Sequence, residues 1–453
     1  MRFRPCPELD AYTPLDVLTR WPGKQPLAML HSHAESAGRW TVMASPTGCI
    51  DASEQAGTWF GPPNPTLEDA ASRGVLHALA AIEHQAAAVK TDPSHPPFAG
   101  WIMCLHYELG HALEPASGLR EPRADTVAHF LWCTDGWVHD GQTNQWWAMG
   151  DPPALGDPRD AFLQRTGPTI SSPTAIDWPQ KVARAIEYIH AGDIFQVNMS
   201  RQLQLPVSGN PRGFARAALN EPQSSFGAYL ELPGRDCTIV SLSPELFLHA
   251  DASGLITTRP IKGTLPADQP AESLRNSDKD AAELHMIVDL MRNDLGRVCK
   301  PGSVHVTCPR RIESHQTVHH GVAEVQGQLC DGTSLADVLK ATFPAGSITG
   351  APKIRAMQIA NELESMPRGP YCGAIGMLGP RGQVSLSVAI RTAIIADGVL
   401  EYAVGCGVVA DSDPLAELAE SEAKAAVLWT AIENASPPGG VPSAAAASPQ
   451  LHA

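Results

Sequence analysis

The sequence predicts a mixed α/β fold, on three observations: buried apolar runs of strand length, stretches of helical periodicity, and turn-rich spacers between them. Residues 98–105 and 127–133 read as buried strands, whereas 67–89 is Ala-rich with apolar residues at helical spacing. Strands outnumber helices up to about Gly167, where spacers such as Gly61-Pro62-Pro63-Asn64-Pro65 and Asp151-Pro152-Pro153 interrupt the chain. A Pro/Ser/Thr-rich stretch over 166–174 marks a boundary, and from Trp178 long helices alternate with strands. These shifts divide the sequence into regions 1–167 and 178–432, followed by a Pro/Ala/Gly/Ser-rich tail, 436–453, expected to be disordered.

The helices after Trp178 carry their own punctuation. Val182, Ala185, Ile186 and Ile189 recur at helical spacing, and the pattern stops at Gly192. A second helix is expected over 277–291, with Leu284, Ile287, Val288 and Met291 as its apolar stripe. A third starts at Asp413 as N-cap with Pro414 in the first helical position, and turns Leu418, Ala425 and Leu428 inward.

Composition narrows the function. Apolar residues make up 43% of the 453 and charged residues 18%, which suits a folded chain with a large core. The formal net charge of -15 opposes nonspecific attraction to nucleic acid phosphate, so an anionic small substrate must be met by a few local cations or a metal. Residues 1–10 carry Pro5, Pro7 and Glu8 and no apolar run, so no signal peptide is expected, and no stretch reaches membrane-spanning length. Ten cysteines without a Cys-x-x-Cys pair read as buried reduced thiols of a cytoplasmic protein rather than disulfides or a zinc site.

Several polar positions stand out. Asp280 and Glu283 lie at i and i+3 on the second helix, and Glu417 and Glu420 on the third, with Lys424 one turn further. Taken by spacing alone these are two solvated acidic faces, or, if they meet in one cleft, oxygen donors for a hard divalent cation. Gly346-Ser347-Ile348-Thr349-Gly350-Ala351-Pro352-Lys353 is expected to form a turn of exposed backbone N–H groups before a helix, suited to a carboxylate, and matches neither a Walker loop nor a nucleophile elbow. Gly405-Cys406-Gly407 after a strand permits close approach of backbone to a ligand. Arg391, following a strand over 384–390, is either a surface arginine or a bidentate anion partner.

In order, these segments resemble the chorismate-utilising enzymes: anthranilate synthase component I, aminodeoxychorismate synthase component I, isochorismate synthase and salicylate synthase. The resemblance covers 178–432. It rests on Ala191-Gly192-Asp193-Ile194-Phe195-Gln196-Val197-Asn198, Ser243-Pro244-Glu245, Pro260-Ile261-Lys262-Gly263-Thr264, Ile287-Val288-Asp289-Leu290-Met291-Arg292-Asn293-Asp294, the 346–353 loop, Ile390-Arg391-Thr392 and the 417–424 segment. The N-terminal region is similar more loosely, through Leu30-His31-Ser32, Gly38-Arg39-Trp40 and residues 100–110.

The resemblance implies an α/β sandwich of two interleaved lobes, each a sheet covered by helices. It implies magnesium held by Glu283 and Glu420, with Asp280 and Glu417 completing the site directly or through water. Tyr371, Arg391 and the backbone near Gly407 would hold the enolpyruvyl carboxylate of chorismate, Lys424 would add charge, and Thr349 and Gly350 would contribute from the loop. His320 would sit near the ring substituents and Glu245 near the departing 4-hydroxyl. Gln196 stands where the water-adding members carry a lysine base, and a neutral amide cannot take a proton from water. Lys262 stands where the anthranilate branch has alanine, and lysine there marks the aminodeoxychorismate branch, with Lys262 as the nucleophile at ring C2; on the residues alone it is equally a salt-bridging lysine beside Gly263.

No glutaminase motif is evident, so the resemblance implies ammonia from a separate glutamine amidotransferase subunit. It also raises tryptophan binding near Ser32. The expected activity is synthesis of 4-amino-4-deoxychorismate for 4-aminobenzoate and folate; the alternatives are anthranilate synthesis and a non-catalytic ligand-binding subunit.

Overall fold

The computed structural model describes residues 2–32, 39–90, 92, 94–117, 126–174, 176–221 and 225–437. The tail beyond 437 and Gly38 lie outside the described residues.

All the paired strands are antiparallel, and they form two runs that share the long strand Ala128–Asp140. The first run passes through Trp40–Ala52, Ala28–His31, Phe226–Glu231, Cys237–Ser243, Thr392–Ala396 and Val399–Val408 to Gln196–Gly209. The second leaves through Trp101–Leu105 and continues by Ala374–Leu378, Val384–Val388, Leu246–Ala250 and Leu255–Arg259 to Val318–Gln328. N-terminal strands thus sit where the two runs join and C-terminal strands at both outer ends, which is the interleaving the family resemblance implies. The stretch 166–174 is itself built into a sheet, since Ile170–Ser172 pairs with Gln202 to Gln204.

Helices cover these sheets by burying one face each. Trp178, Val182 and Ala185 of helix Asp177–His190 pack with Ala356, Ile359 and Ala360 of helix Lys353–Leu363 over Val197 and Met199. Asp278–Gly296 runs five residues past the expected Met291; Ser277 caps it by accepting from the Asp280 amide, and Leu284, Ile287, Val288 and Met291 are buried. Asp413 caps Pro414–Ala435 in the same way, accepting from Leu415 and Ala416. The single helix expected over 67–89 is instead two, Pro65–Ser72 and Val75–Ala88. Gly74 divides them: it holds φ +89, and a Cβ there would lie 2.3 Å from the Glu54 carbonyl oxygen.

Because Leu284 is fully buried on the helix that carries Glu283, Leu284→Ala should destabilise the fold by about 2–5 kcal/mol. The check is urea unfolding, where the midpoint should fall with an unchanged slope.

Candidate active site

Elements from both ends of the C-terminal half bring several of the predicted residues together. Strand Ile261–Pro266 pairs with Val318–Gln328, which sets Thr264 opposite His320 and carries Lys262 beneath helix Asp278–Gly296. There Lys262 Nζ lies 4.0 Å from Glu283 Oε2. From the other side, helix Pro414–Ala435 presents Glu420, whose Oε1 lies 2.8 Å from Lys424 Nζ. That ammonium also donates to the Gly405 carbonyl at 2.8 Å.

Gly405 and Gly407 lie inside strand Val399–Val408 rather than after it. A Cβ at Gly407 would stand 2.2 Å from Gln196 Nε2 and 3.2 Å from Lys262 Nζ, so the missing side chain is what allows those two groups to converge. The same construction at Gly405 meets the Tyr371 hydroxyl at 3.0 Å. Gln196 is only 1% exposed, and its Oε1 has no hydrogen-bond partner among the described residues.

The four helical carboxylates do not share one environment. Glu283 and Glu420 face the lysines, and Asp280 Cγ lies 2.9 Å from where a Gly263 Cβ would be. Glu417 is buried and its Oε1 accepts from the Ser412 hydroxyl at 2.7 Å. The oxygens facing the lysines suit a hard divalent cation. Such an ion would also relieve Glu283, whose carboxyl is raised by burial and by the neighbouring Asp280 and Glu420, against the pull of Lys262 and Lys279.

Electrostatics set the rest of the cleft. Burial pushes the Glu245 carboxyl up to about 7, against the Ser347 hydroxyl, the Lys262 ammonium and the Ile261 amide. Burial likewise draws Lys262 below the ordinary lysine value; Glu283 opposes this and Lys424 reinforces it. For Glu420, burial acts upward, but Lys424, Lys262 and Lys279 outweigh it and leave the carboxyl below its usual range. His320 is driven down to about 3, first by burial and then by Arg391, so its ring is neutral. Its Nδ1 lies 3.0 Å from Thr264 Oγ1, and Nε2 has no partner among the described residues. Arg391 is not on the strand, which ends at Val388; it takes φ 52 and accepts the Leu242 amide on its carbonyl at 3.0 Å.

The 346–353 loop departs from the expected anion turn. The Ile348 and Thr349 amides close onto the Ala345 and Gly346 carbonyls, Gly350 and Ala351 pair with Val197 and Gln196, and Thr349 Oγ1 donates to Ala345 at 3.1 Å. Two of its N–H groups are therefore used within the fold, and residues 346–351 are buried. Lys353 anchors it by donating to Asp294 at 2.6 Å and to the Thr342 carbonyl at 2.8 Å.

Sequence reasoning missed Arg368. Its guanidinium pairs with Glu364 at 2.7 Å, donates to Asn198 O at 2.6 Å and Ile348 O at 3.1 Å, and lies 4.3 Å over the Tyr107 ring. It thereby ties the loop to the strand that bears Gln196. The i, i+4 spacing of Glu364 and Arg368 is the one signal that could have marked it.

A cavity of about 460 Å³ shares only His320 with the predicted residues. Pro244 and Leu246, which flank Glu245, line it together with Ile261, which precedes Lys262. The cavity therefore adjoins the segments that carry Glu245 and Lys262. Ser32, beside the expected tryptophan position, donates its amide to Thr41 Oγ1 at 3.1 Å, and residues 33–38 lie outside the described residues.

The raised Glu245 carboxyl has a thermodynamic consequence. A folded-state value above the unfolded one stabilises the protein fully below about pH 4.5, and the contribution fades as pH rises through about 7. Glu245→Gln should remove a pH-dependent component on the order of 3 kcal/mol between those limits. Denaturant unfolding of both proteins from pH 4.5 to 8 checks this, and parallel pH profiles would contradict it.

Comparison with known proteins agrees with this geometry. Residues 37–430 match the sequence profile described as chorismate binding enzyme. Aminodeoxychorismate synthase component 1 of Salmonella typhimurium is 41% identical over 369 residues, covering 76% of this chain and 79% of that protein. Anthranilate synthase component 1 of Streptomyces coelicolor is 40% identical over 293 residues, covering 63% of this chain and 56%, little more than half, of that relative. Among solved structures, anthranilate synthase component I from Streptococcus pneumoniae superposes with a TM-score of 0.75 at 27% identity, covering 92% of this chain and 97% of that one. The Escherichia coli menaquinone-specific isochorismate synthase shares the fold at a TM-score of 0.72 and 18% identity, over 95% and 94% of the two chains. Among the described residues no helix is long and apolar enough to cross a membrane. The chain belongs to the chorismate binding enzyme family.

Proposed function

We propose that this chain aminates chorismate at C4, forming 4-amino-4-deoxychorismate with ammonia delivered by a glutamine amidotransferase partner, and so supplies 4-aminobenzoate for folate. The observation that carries the reading is the convergence of Lys262 Nζ and Gln196 Nε2 at the side-chain-free Gly407. A lysine occupies the reacting side of the cleft, and the residue beside it is an amide that cannot activate water. Relatives named aminodeoxychorismate synthase and anthranilate synthase occur at similar identity, so the branch rests on these two side chains.

The proton balance favours a nucleophilic lysine. Burial opposes charge on both Lys262 and Glu245, so transfer of the lysine proton to Glu245 yields a neutral amine and a neutral acid in one step. The amine attacks ring C2, both ring double bonds shift (C1=C2 to C1=C6 and C5=C6 to C4=C5), and the C4–O bond breaks as Glu245 protonates the departing hydroxyl. Ammonia then attacks C4, both double bonds shift back, and the C2–N bond to Lys262 breaks. Tyr371, Arg391 and the Gly407 backbone would hold the enolpyruvyl carboxylate, with Lys424, Thr349 and Gly350 bordering it, and neutral His320 would face the ring substituents. A magnesium ion held by Glu283 and Glu420, with Asp280 and Glu417 completing the site directly or through water, would bind and neutralise the ring carboxylate.

The test is incubation of the purified chain with chorismate, magnesium and ammonium salt, followed by identification of the product by mass and fluorescence. A non-aromatic 4-amino product is expected; fluorescent 2-aminobenzoate with pyruvate release would contradict the reading in favour of anthranilate synthesis. Glu245→Gln should lower kcat by about 10²–10⁴-fold. Glu420→Ala should abolish turnover with the circular dichroism spectrum unchanged, and normal activity of that variant at limiting magnesium would remove the metal assignment.

A further inference from the structure

Far along the sequence from the cleft, one face of three neighbouring N-terminal strands gathers metal-ligating side chains in the interior. Cys49 and Asp51 are two residues apart on Trp40–Ala52 and therefore share a face. His129 on the next strand is the register partner of Asp51, and Cys104 on the third strand is the register partner of His129. His106 follows two residues after Cys104, just past the end of that strand. Cys49 Sγ lies 3.3 Å and His129 Nδ1 2.6 Å from the same oxygen, Asp51 Oδ1, and the three ligand atoms fall within 4.8 Å of one another.

A buried hydrogen-bonded triad could be purely structural; the surroundings of this one point further. His106 is 7% exposed, its ring centroid lies 5.0 Å from that of His129, and with one ring nitrogen turned to the Thr126 backbone the other has no hydrogen-bond partner among the described residues. Leaving that one buried nitrogen unpaired costs about 1–3 kcal/mol, which a ligand bond would recover. The second Asp51 oxygen is engaged by Arg235, whose side chain is 44% exposed and lies 6.0 Å over Phe60. That outer ion pair orients the carboxylate in the way that outer partners orient metal ligands, and it leaves Oδ1 directed at Cys49 and His129.

We propose that Cys49, Asp51 and His129 form a binding site for one zinc-class divalent cation, completed by the neighbouring His106 when its ring turns toward the three. One sulfur, two imidazole nitrogens and one carboxylate oxygen make a borderline-soft set that suits zinc or cobalt and does not suit magnesium, which keeps to the all-carboxylate cleft. In the metal-free protein Cys49 and His129 each direct a proton at Asp51 Oδ1. On binding, the ion takes the place of both: the Cys49 thiol proton is released to solvent, and the His129 proton moves to Nε2, which frees Nδ1 to become the ligand. The site would pin three strands of the shared N-terminal sheet together and is independent of the chorismate reaction.

The test uses the full chain, stripped of metal and titrated with cobalt(II) in the presence of excess magnesium. One equivalent should produce thiolate-to-cobalt charge-transfer absorption with the visible bands of a tetrahedral ion, and zinc should erase both. Cys49→Ser, which keeps the size and the hydrogen bond to Asp51, should lose the charge-transfer band, whereas Cys330→Ser at the exposed cysteine should leave it unchanged. His106→Gln should weaken binding at least ~10-fold. If Cys49→Ser folds poorly, the unmodified chain still decides the matter: zinc should raise its melting temperature in a saturable, one-site manner. Absence of a charge-transfer band in the unmodified chain, the same band in folded Cys49→Ser, or a melting temperature indifferent to zinc would each overturn the proposal.

Discussion

The structure depends on holding one lysine in a place where neither its charge nor that of its neighbours is well solvated. Lys262 is mostly buried, with Glu283 at 4.0 Å, and burial also raises Glu245 close to neutrality. Moving an ammonium or a carboxylate out of water costs several kcal/mol, and an ion pair recovers this only when its geometry is good. At 4.0 Å the contact between Lys262 and Glu283 is loose, so the lysine is less firmly fixed as a cation than Lys353, whose Nζ lies 2.6 Å from Asp294. The same burial that weakens the charge is what an amine nucleophile requires. Lys424, bound to Glu420 and to the Gly405 carbonyl, adds a second positive charge that lowers Lys262 further.

Holding that lysine requires the whole chain. Its strand is positioned by Val318–Gln328, the space before it by the bare Gly407, and the wall behind it by a loop that Arg368 fastens to Gln196–Gly209. Those elements belong to the two ends of the sheet runs, and the strands between them come from the N-terminal region. Ala28–His31 bridges Trp40–Ala52 to Phe226–Glu231, and Trp101–Leu105 bridges Ala128–Asp140 to Ala374–Leu378. A change in composition at 166–174 therefore marks where the chain changes character, while the sheet continues across it.

Features that depend on residues near each other in the chain were legible in the sequence. The cap at Asp413 and the stop at Gly192 were read correctly because a cap is a local hydrogen bond and a glycine with φ +83 is a local conformation. The break at Gly74 was missed because glycine amid alanines does not disturb helical periodicity, and the close approach of the Glu54 carbonyl is long-range. Strand ends were misjudged for a related reason: residues 134–140 continue the strand through the polar Thr134, Asp135 and Asp140, and Asp135 and Asp140 find their backbone register partners at the distant Ser45 and Trp40. At the site, the i, i+3 pairs correctly identified two acidic helix faces, yet spacing could not separate Glu420, which meets Lys424, from Glu417, which Ser412 engages. The Cys49, Asp51 and His129 cluster was equally hidden, since its members lie on two strands and follow no metal-binding spacing.

The account turns on whether Lys262 bonds to the substrate. The most direct measurement is the intact mass of the protein given chorismate and magnesium without ammonia, followed by peptide mapping. A gain equal to chorismate less one water, located on the peptide containing Lys262 and discharged when ammonia is added, is the result expected. If ammonia supports rapid turnover while no such adduct forms, and Lys262→Ala keeps a near-normal rate and product, then Lys262 acts only through its charge and the nucleophilic account is wrong.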